Sequence, residues 1–324
     1  MHNLVIPHET WNIRDASKLS TASRCPRHYF FCYMLGWGTD GRNIHFDFGT
    51  AWHKAMDVMW SKDCAGEAIE EAFEAFMGEW DGWYSGQEVD GAKNPNNAHI
   101  ALERFVAHRR LQAPLTKVHT EMPSMIPLTT TACMTGRMDL IAKDAADRYV
   151  VVDHKSTGVT GGLDRWVSQW TRSFQIRTYI HALVCNFGEE NVAGALINGL
   201  VVRNPPRMKK DGTPYANSSE GCMCLSVPVR PDNGQMQQWL HEATTLYHSI
   251  DQETEILDGD TAETPIMQAF PQRFTGCYAY FRQCPYYELC NCHSNPLRLL
   301  EATGGEPPQG FIEKRWNPAE PEED

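Results

Sequence analysis

Two apolar β-segments that end in charge constrain this chain more than any other stretch. Cys133 to Lys143 and Arg148 to Lys155 read as strands, the second through Tyr149-Val150-Val151-Val152. Asp144-Ala145-Ala146-Asp147 between them has the composition of a hairpin turn. The second strand ends on Asp153-His154-Lys155, and alternation puts Asp153 and Lys155 on one face with His154 pointing away. On the partner strand, Asp139 in Gly136-Arg137-Met138-Asp139-Leu140-Ile141 can set its carboxylate beside that of Asp153. Two converging carboxylates repel unless a cation lies between them, so the arrangement invites one or two Mg²⁺ or Mn²⁺ ions. An adjacent ammonium can orient water and stabilise charge developing on a phosphate. A D…DxK pattern is short and frequent, and its bland alternative is a surface hairpin with scattered charges. The acid–lysine pair at the end of a strongly apolar strand favours a site.

Around this hairpin the periodicity predicts helices over Ser20–Leu35, Phe48–Trp60, Ala65–Trp80 and Ala98–Leu111, with a Gly/Asn/Asp-rich loop over Asp81–Asn97. A first strand is expected over Lys117–Met125, a helix over Trp166–Phe187, strands over Ala193–Arg203 and Cys222–Val229, and a helix from Pro231 to Leu257. Helices followed by a sheet that a helix interrupts imply an α/β or α+β core with a helical N-terminal addition. The expected organisation is one domain over residues 1–300: a helical part at about 17–113, a core at about 116–260 and a cysteine segment at 270–293. Residues 301–324, with seven acidic and two basic side chains among Pro and Gly, read as a flexible acidic tail. That tail carries −5 of the net charge of −12, so global charge excludes little. No apolar run approaches the ~18–20 residues of a membrane span, and the N-terminus lacks the pattern of a signal peptide. A cytoplasmic location without membrane contact is expected.

The motifs together resemble the PD-(D/E)XK nuclease superfamily, and within it the RecB-like branch. Asp139, Asp153 and Lys155 occupy the three signature positions. Gln175-Ile176-Arg177-Thr178-Tyr179 matches QxxxY, and Gly49-Thr50-Ala51-Trp52-His53 resembles GxxxH. The resemblance implies a restriction-endonuclease-like α/β fold, a mixed central sheet flanked by helices. It implies metal binding by His53, Asp139, Asp153 and the His154 backbone carbonyl, with Glu121 as a further acidic ligand. Lys155 would activate water, supported by Gln175 and Tyr179. Each outer motif has a bland counterpart: His53 as an ordinary helical histidine, Gln175 and Tyr179 as a helix-surface pair, Glu121 as a solvated strand residue. Their joint order along the chain outweighs these.

Eleven cysteines are an odd number, which suits metal binding better than a disulfide framework in an intracellular protein. Cys277, Cys284 and Cys290 are spaced C-x6-C-x5-C, and Cys25 lies far upstream. One N-terminal cysteine plus three near the C-terminus resembles the iron–sulfur staple of RecB-like nucleases, implying a structural [4Fe–4S] cluster. Tetrahedral zinc is the alternative occupant, and Cys292 competes with Cys290 as the last ligand. Cys32, Cys64, Cys133, Cys185, Cys222 and Cys224 are assigned to packing.

The expected substrate is DNA, cleaved at phosphodiester bonds and from its ends, in recombination, repair or phage and mobile-element DNA processing. Arg109 and Arg110, beside Arg104 and His108, form one candidate phosphate-binding group; Arg207, Lys209 and Lys210, beside Arg203, form another. Solvated surface is the plainer reading of each. The aromatics of Asp81–Tyr84 are candidates for base stacking. The chain has no GxxxxGK[ST] phosphate loop, so a helicase or a single-strand annealing protein would be a separate partner. A non-catalytic DNA-binding or assembly subunit that keeps the fold is the alternative function.

Overall fold

The computed structural model describes residues 4–84, 91–158, 162–204, 208–213, 221–279, 282–315 and 317; of residues 81–84, 279 and 282 only the backbone is described. In chain order, α1 (Ala16–Arg24) and α2 (Pro26–Tyr29) lead through a π-helical turn, Phe30–Met34, into β1 (Trp37–Thr39). Three helices follow: α3 (Ile44–Ser61), α4 (Ile69–Tyr84) and α5 (Pro95–Arg109). Next come β2 (Thr116–Pro127), β3 (Cys133–Lys143) and β4 (Tyr149–Thr157), then α6 (Leu163–Gln169) and α7 (Phe174–Phe187). The chain continues with β5 (Val192–Val201), β6 (Met223–Val229) and α8 (Asn233–Leu257). It closes with a small hairpin of β7 (Tyr278–Ala279) and β8 (Arg282–Gln283), α9 (Tyr287–Cys292), α10 (Pro296–Thr303) and β9 (Phe311–Glu313).

The central sheet has the order β2-β3-β4-β5-β6. The pairs β3–β4 and β5–β6 are antiparallel and β4–β5 is parallel. A parallel neighbour cannot follow a tight turn, and the crossover carrying α6 and α7 supplies the required return path. This is the mixed sheet flanked by helices that the sequence implied.

The chain divides into two compact units: Arg42–Met122 with Met138–Asp232, and Met1–Gly41 with Pro123–Arg137 and Asn233–Asp324. In the first, Phe48, Trp52, Met56 and Met59 of α3 pack with Phe76 of α4, Leu102 and Phe105 of α5, and Leu140, Val150, Val152 and Leu200 of the sheet. The even-numbered residues of β4 therefore face α3–α5, and the odd-numbered ones face the side of α7, whose Ile176, Ile180 and Leu183 are buried. In the second unit, Arg14 ties the segment before α1 to α8. It is 5% exposed, pairs with Asp251 of α8 at 2.6 Å and donates to the Tyr247 carbonyl at 2.7 Å.

Several boundaries depart from the sequence reading. The helix expected over 20–35 breaks at Cys25, which is extended (φ −159°, ψ 111°) because Pro26 follows it. The helix expected over 166–187 breaks at Ser173, whose hydroxyl caps α7 through Ile176 N–H. In the loop expected over 81–97, α4 runs on to Tyr84 and α5 starts at Pro95, capped by Asn94. The side chains of Asp81–Tyr84 lie outside the described residues. Pro231 precedes α8 instead of opening it.

Of the segment expected as a flexible tail, the described residues 301–315 are folded. β9 pairs antiparallel with β1, Phe311 stacks on Tyr286 at 5.4 Å, and Arg315 donates to the Met34 carbonyl at 2.9 Å. Phe311 and Ile312 supply the apolar and backbone contacts that the acidic composition obscured. The opposing Gly36 has φ +71°, and a Cβ there would stand 2.6 Å from the Arg315 side chain, so glycine is needed on two counts. Among the described residues, no helix is long and apolar enough to cross a membrane.

Candidate functional site

The site forms where β3 and β4 part. Their register runs from Lys143↔Tyr149 to Leu140↔Val152, so the next positions, Asp139 and Asp153, share a face. There the His154 N–H donates to Asp139 Oδ2 at 2.9 Å, a side-chain acceptor taking the place of a ladder carbonyl. From α3, His53 Nε2 donates to the His154 carbonyl at 2.8 Å, while its Nδ1 lies 3.5 Å from Asp139 Oδ2. From β2 comes Glu121, whose φ of 47° is rare for a non-glycine residue and turns its side chain out of the strand's alternation. His53, Glu121 and Asp139 each offer a ligand atom within 4.8 Å of the other two, the one such trio among the described residues.

Asp153 is fully buried and grips the Lys155 ammonium at 2.8 and 2.9 Å. Its Oδ2 contacts that ammonium but has no well-directed hydrogen bond. Burial pushes the Asp153 carboxyl up to about 6; Lys155 opposes the shift and Asp139 adds to it. Asp139 goes the other way. Burial would raise its carboxyl, but His53, Lys155 and the His154 N–H together hold it below the usual range. Burial likewise opposes the Lys155 ammonium, yet Asp153 and Asp139 outweigh it and hold its proton more tightly than usual. The buried Asp153 and the half-buried Asp139, with one ammonium held by Asp153, leave a deficit of positive charge. The chemistry of this donor set fits a hard divalent cation.

The expected QxxxY pair lies on α7, where Gln175 Nε2 donates to the Tyr179 hydroxyl at 2.9 Å. Gly49 and His53 share a face of α3 four residues apart, and a Cβ at Gly49 would meet nothing within 4 Å. Three contributors were not anticipated. Asn198 Nδ2 donates to His154 Nδ1 at 2.7 Å, and burial pushes His154 down to about 3, so its ring is neutral and fixed. The signal was an Asn-Gly pair inside the apolar run Ala195-Leu196-Ile197-Asn198-Gly199-Leu200-Val201. Trp166 and Trp170, edge to face at 5.4 Å, wall the lysine: the Lys155 ammonium lies 6.0 Å from the Trp170 ring. Trp166 can lie on the sheet because Gly199, the register partner of Lys155, has no Cβ; one would stand 2.6 Å from the indole.

The candidate phosphate-binding residues differ in availability. Arg109 is committed to the fold, donating to the Ala113 carbonyl at 2.7 Å with its guanidinium 5.2 Å from the Trp60 ring. Arg110, Lys209 and Lys210 are exposed, and Arg207 lies outside the described residues.

Four thiols gather in the other unit. A Cβ on Gly276 would stand 2.9 Å from the Arg24 carbonyl and 3.3 Å from Cys25 Cβ, which sets Cys277 against the N-terminal segment. The β7–β8 hairpin accounts for the wide C-x6-C gap, since Cys284 N–H bonds back to the Cys277 carbonyl at 2.7 Å. Burial pushes the Cys290 thiol up to about 12; Arg27 opposes the shift, and the neighbouring thiols of Cys25, Cys284 and Cys277 add to it. Cys292 is exposed, and so is Cys185, which corrects its assignment to packing.

No curated protein matches the sequence. Among solved structures, one described as "Crystal structure of SSO0001" aligns over 74% of this chain and 78% of its own at 12% identity, with a TM-score of 0.30; a likeness that loose carries no argument. The model of the PD-(D/E)XK nuclease superfamily, by contrast, matches residues 16–291, a span that contains both units' landmarks from α1 to Cys290. With its mixed five-stranded sheet and an acid–lysine pair at the end of a buried strand, this chain belongs to the PD-(D/E)XK nuclease superfamily.

Proposed function

We propose that the chain is a divalent-metal-dependent deoxyribonuclease of the RecB-like branch, acting on DNA ends in recombination, repair or mobile-element DNA processing. The observation that carries the reading is the meeting of His53, Glu121 and Asp139 within 4.8 Å beside the buried Asp153–Lys155 pair. Asp139, Asp153, Glu121, His53 and the His154 carbonyl would hold the ion. When bound, a divalent ion supplies Lewis-acid polarisation of a phosphoryl oxygen and generates a strong nucleophile from water at neutral pH. Lys155 orients that water and stabilises charge on the phosphate. Asn198 holds the neutral His154 in place, which fixes the direction of its carbonyl. The Gln175–Tyr179 pair buttresses the lysine side of the pocket and the substrate. Preference for ends rests on analogy with RecB-like relatives.

End-labelled linear and circular DNA, single- and double-stranded, incubated with Mg²⁺ or Mn²⁺, tests the reading. Linear DNA shortened progressively and intact circles are expected; degradation of circles would make the enzyme an endonuclease, and no cleavage of any substrate would refute the activity. Glu121→Gln should weaken Mn²⁺ binding about tenfold, measured by titration calorimetry, since one charged oxygen ligand is lost from the trio. Unchanged affinity would remove Glu121 from the metal set.

Cys25, Cys277, Cys284 and Cys290 would hold a [4Fe–4S] cluster, with zinc as the alternative occupant. Arg27 supports an anionic occupant: its guanidinium is 2% exposed, donates to the Phe270 carbonyl at 2.9 Å, and leaves Nη1 without a hydrogen-bond partner. A cation buried this way requires a counter-charge; Cys290 and Cys25 are electrostatic neighbours of Arg27, together with the carboxylates of Asp260 and Glu253.

A further inference from the structure

Lys93 is a buried lysine that the catalytic reading leaves unused. Its residue is 6% exposed, and its ammonium donates to Ser156 Oγ at 3.0 Å and to the His45 carbonyl at 3.2 Å, 5.4 Å from the Phe48 ring. Among the described residues no carboxylate pairs with it, and burial pushes it down to about 8. A buried cation answered only by a hydroxyl and a carbonyl is costly, unless an anion arrives that is absent from the fold itself.

Two elements tie this ammonium to the metal-binding trio. Along β4, Ser156 is two residues beyond His154 on the same face, about 7 Å at the usual strand rise, and His154 bonds Asp139 through its N–H and His53 through its carbonyl. Along α3, His45, Gly49 and His53 recur every four residues on one face, spanning about 12 Å. The space beside Gly49, midway, is open. A DNA strand advances about 3.4 Å per nucleotide, so this stripe matches roughly three nucleotide steps from the site of cleavage.

We propose that Lys93 Nζ and Ser156 Oγ form a phosphate subsite for the substrate strand, anchoring a backbone phosphate a few nucleotides from the scissile bond. Both groups donate hydrogen bonds, and neither reads a base, so the subsite positions the strand without sequence preference. The subsite rests on the nuclease reading above.

The test uses full-length protein as wild type, Lys93→Met, Lys93→Arg and Ser156→Ala, with an end-labelled oligonucleotide. Binding is measured by fluorescence anisotropy in EDTA across a salt series, and cleavage by steady-state kinetics. Lys93→Met is expected to weaken binding about tenfold, lower the salt slope by about 1, and raise KM more than it lowers kcat. Lys93→Arg should restore most of the slope, and Ser156→Ala should weaken binding less than Lys93→Met. A purely structural lysine would instead lower the melting temperature and leave the slope unchanged; that result overturns the subsite. If Lys93→Met does not fold, an unchanged KM and affinity in Ser156→Ala overturns it equally. Wild-type protein that cleaves DNA while Lys93→Met binds it normally defeats the subsite alone; wild type that neither binds nor cleaves DNA defeats both readings.

Discussion

Replacing Lys155 with Ala is expected to reduce metal-dependent DNA cleavage by about 10²–10⁴-fold, the range of a lost general acid–base or charge-stabilising group. A second effect separates this variant from simple loss of a catalytic amine. Lys155 is the force that opposes burial at Asp153, so its removal must push that carboxyl further up. Asp153 must shed its proton to take an ion. In the wild type, Mn²⁺ affinity should be flat above pH of about 6 and fall tenfold per unit below it. In Lys155→Ala the break should move to higher pH, and affinity at pH 7 should drop. Titration calorimetry with Mn²⁺ across pH 5–9 reads this directly. An unchanged break would mean that the ammonium does not govern the ionisation of Asp153. Unchanged cleavage in a clean preparation would remove Lys155 from the mechanism.

The second large effect concerns the thiols. Cys25 and Cys277 lie more than two hundred residues apart, and a bond-like link between them would restrict the unfolded chain by roughly 5 kcal/mol on loop-closure reasoning. Cys290→Ser should therefore lose the bound metal and melt well below the wild type. Cys292→Ser, altering an exposed thiol, should keep both metal and stability. Metal analysis and the visible spectrum of anaerobically purified protein check this: iron and a brown colour are expected in the wild type. Colourless protein with one zinc would replace the iron–sulfur proposal with zinc. Metal retained by Cys290→Ser and lost by Cys292→Ser would exchange the two cysteines as ligands.

What the sequence made legible follows from how far each signal is local. The β3–β4 hairpin was readable because strand alternation and turn composition act over a few residues, and its expected turn is present: Asp144 Oδ1 accepts from the N–H groups of Ala146 and Arg148 at 2.9 and 3.0 Å. The facing of Asp153 and Lys155 against His154 followed from the same alternation. Helix breaks at Cys25 and Ser173 were missed because hydrophobic periodicity runs through both, while a proline and a capping hydroxyl decide the backbone. The folding of Phe311–Glu313 onto Trp37–Thr39 was invisible for a different reason. Strand pairing across the length of the chain leaves no local trace, and the Pro/Glu-rich composition pointed elsewhere. Lys93 is the extreme case: nothing in Gly91-Ala92-Lys93-Asn94 separates a buried ammonium from a solvated loop lysine.

We propose that the parted ends of β3 and β4 hold a divalent ion. Anomalous diffraction from crystals soaked in Mn²⁺ tests it most directly. An ion about 2.2 Å from carboxylate oxygens of both Asp139 and Asp153, with the His154 carbonyl and His53 or Glu121 completing its shell, is the predicted result. A manganese peak elsewhere, with Lys155 still bridging the Asp153 carboxylate and Asp139 carrying no ion, would contradict it.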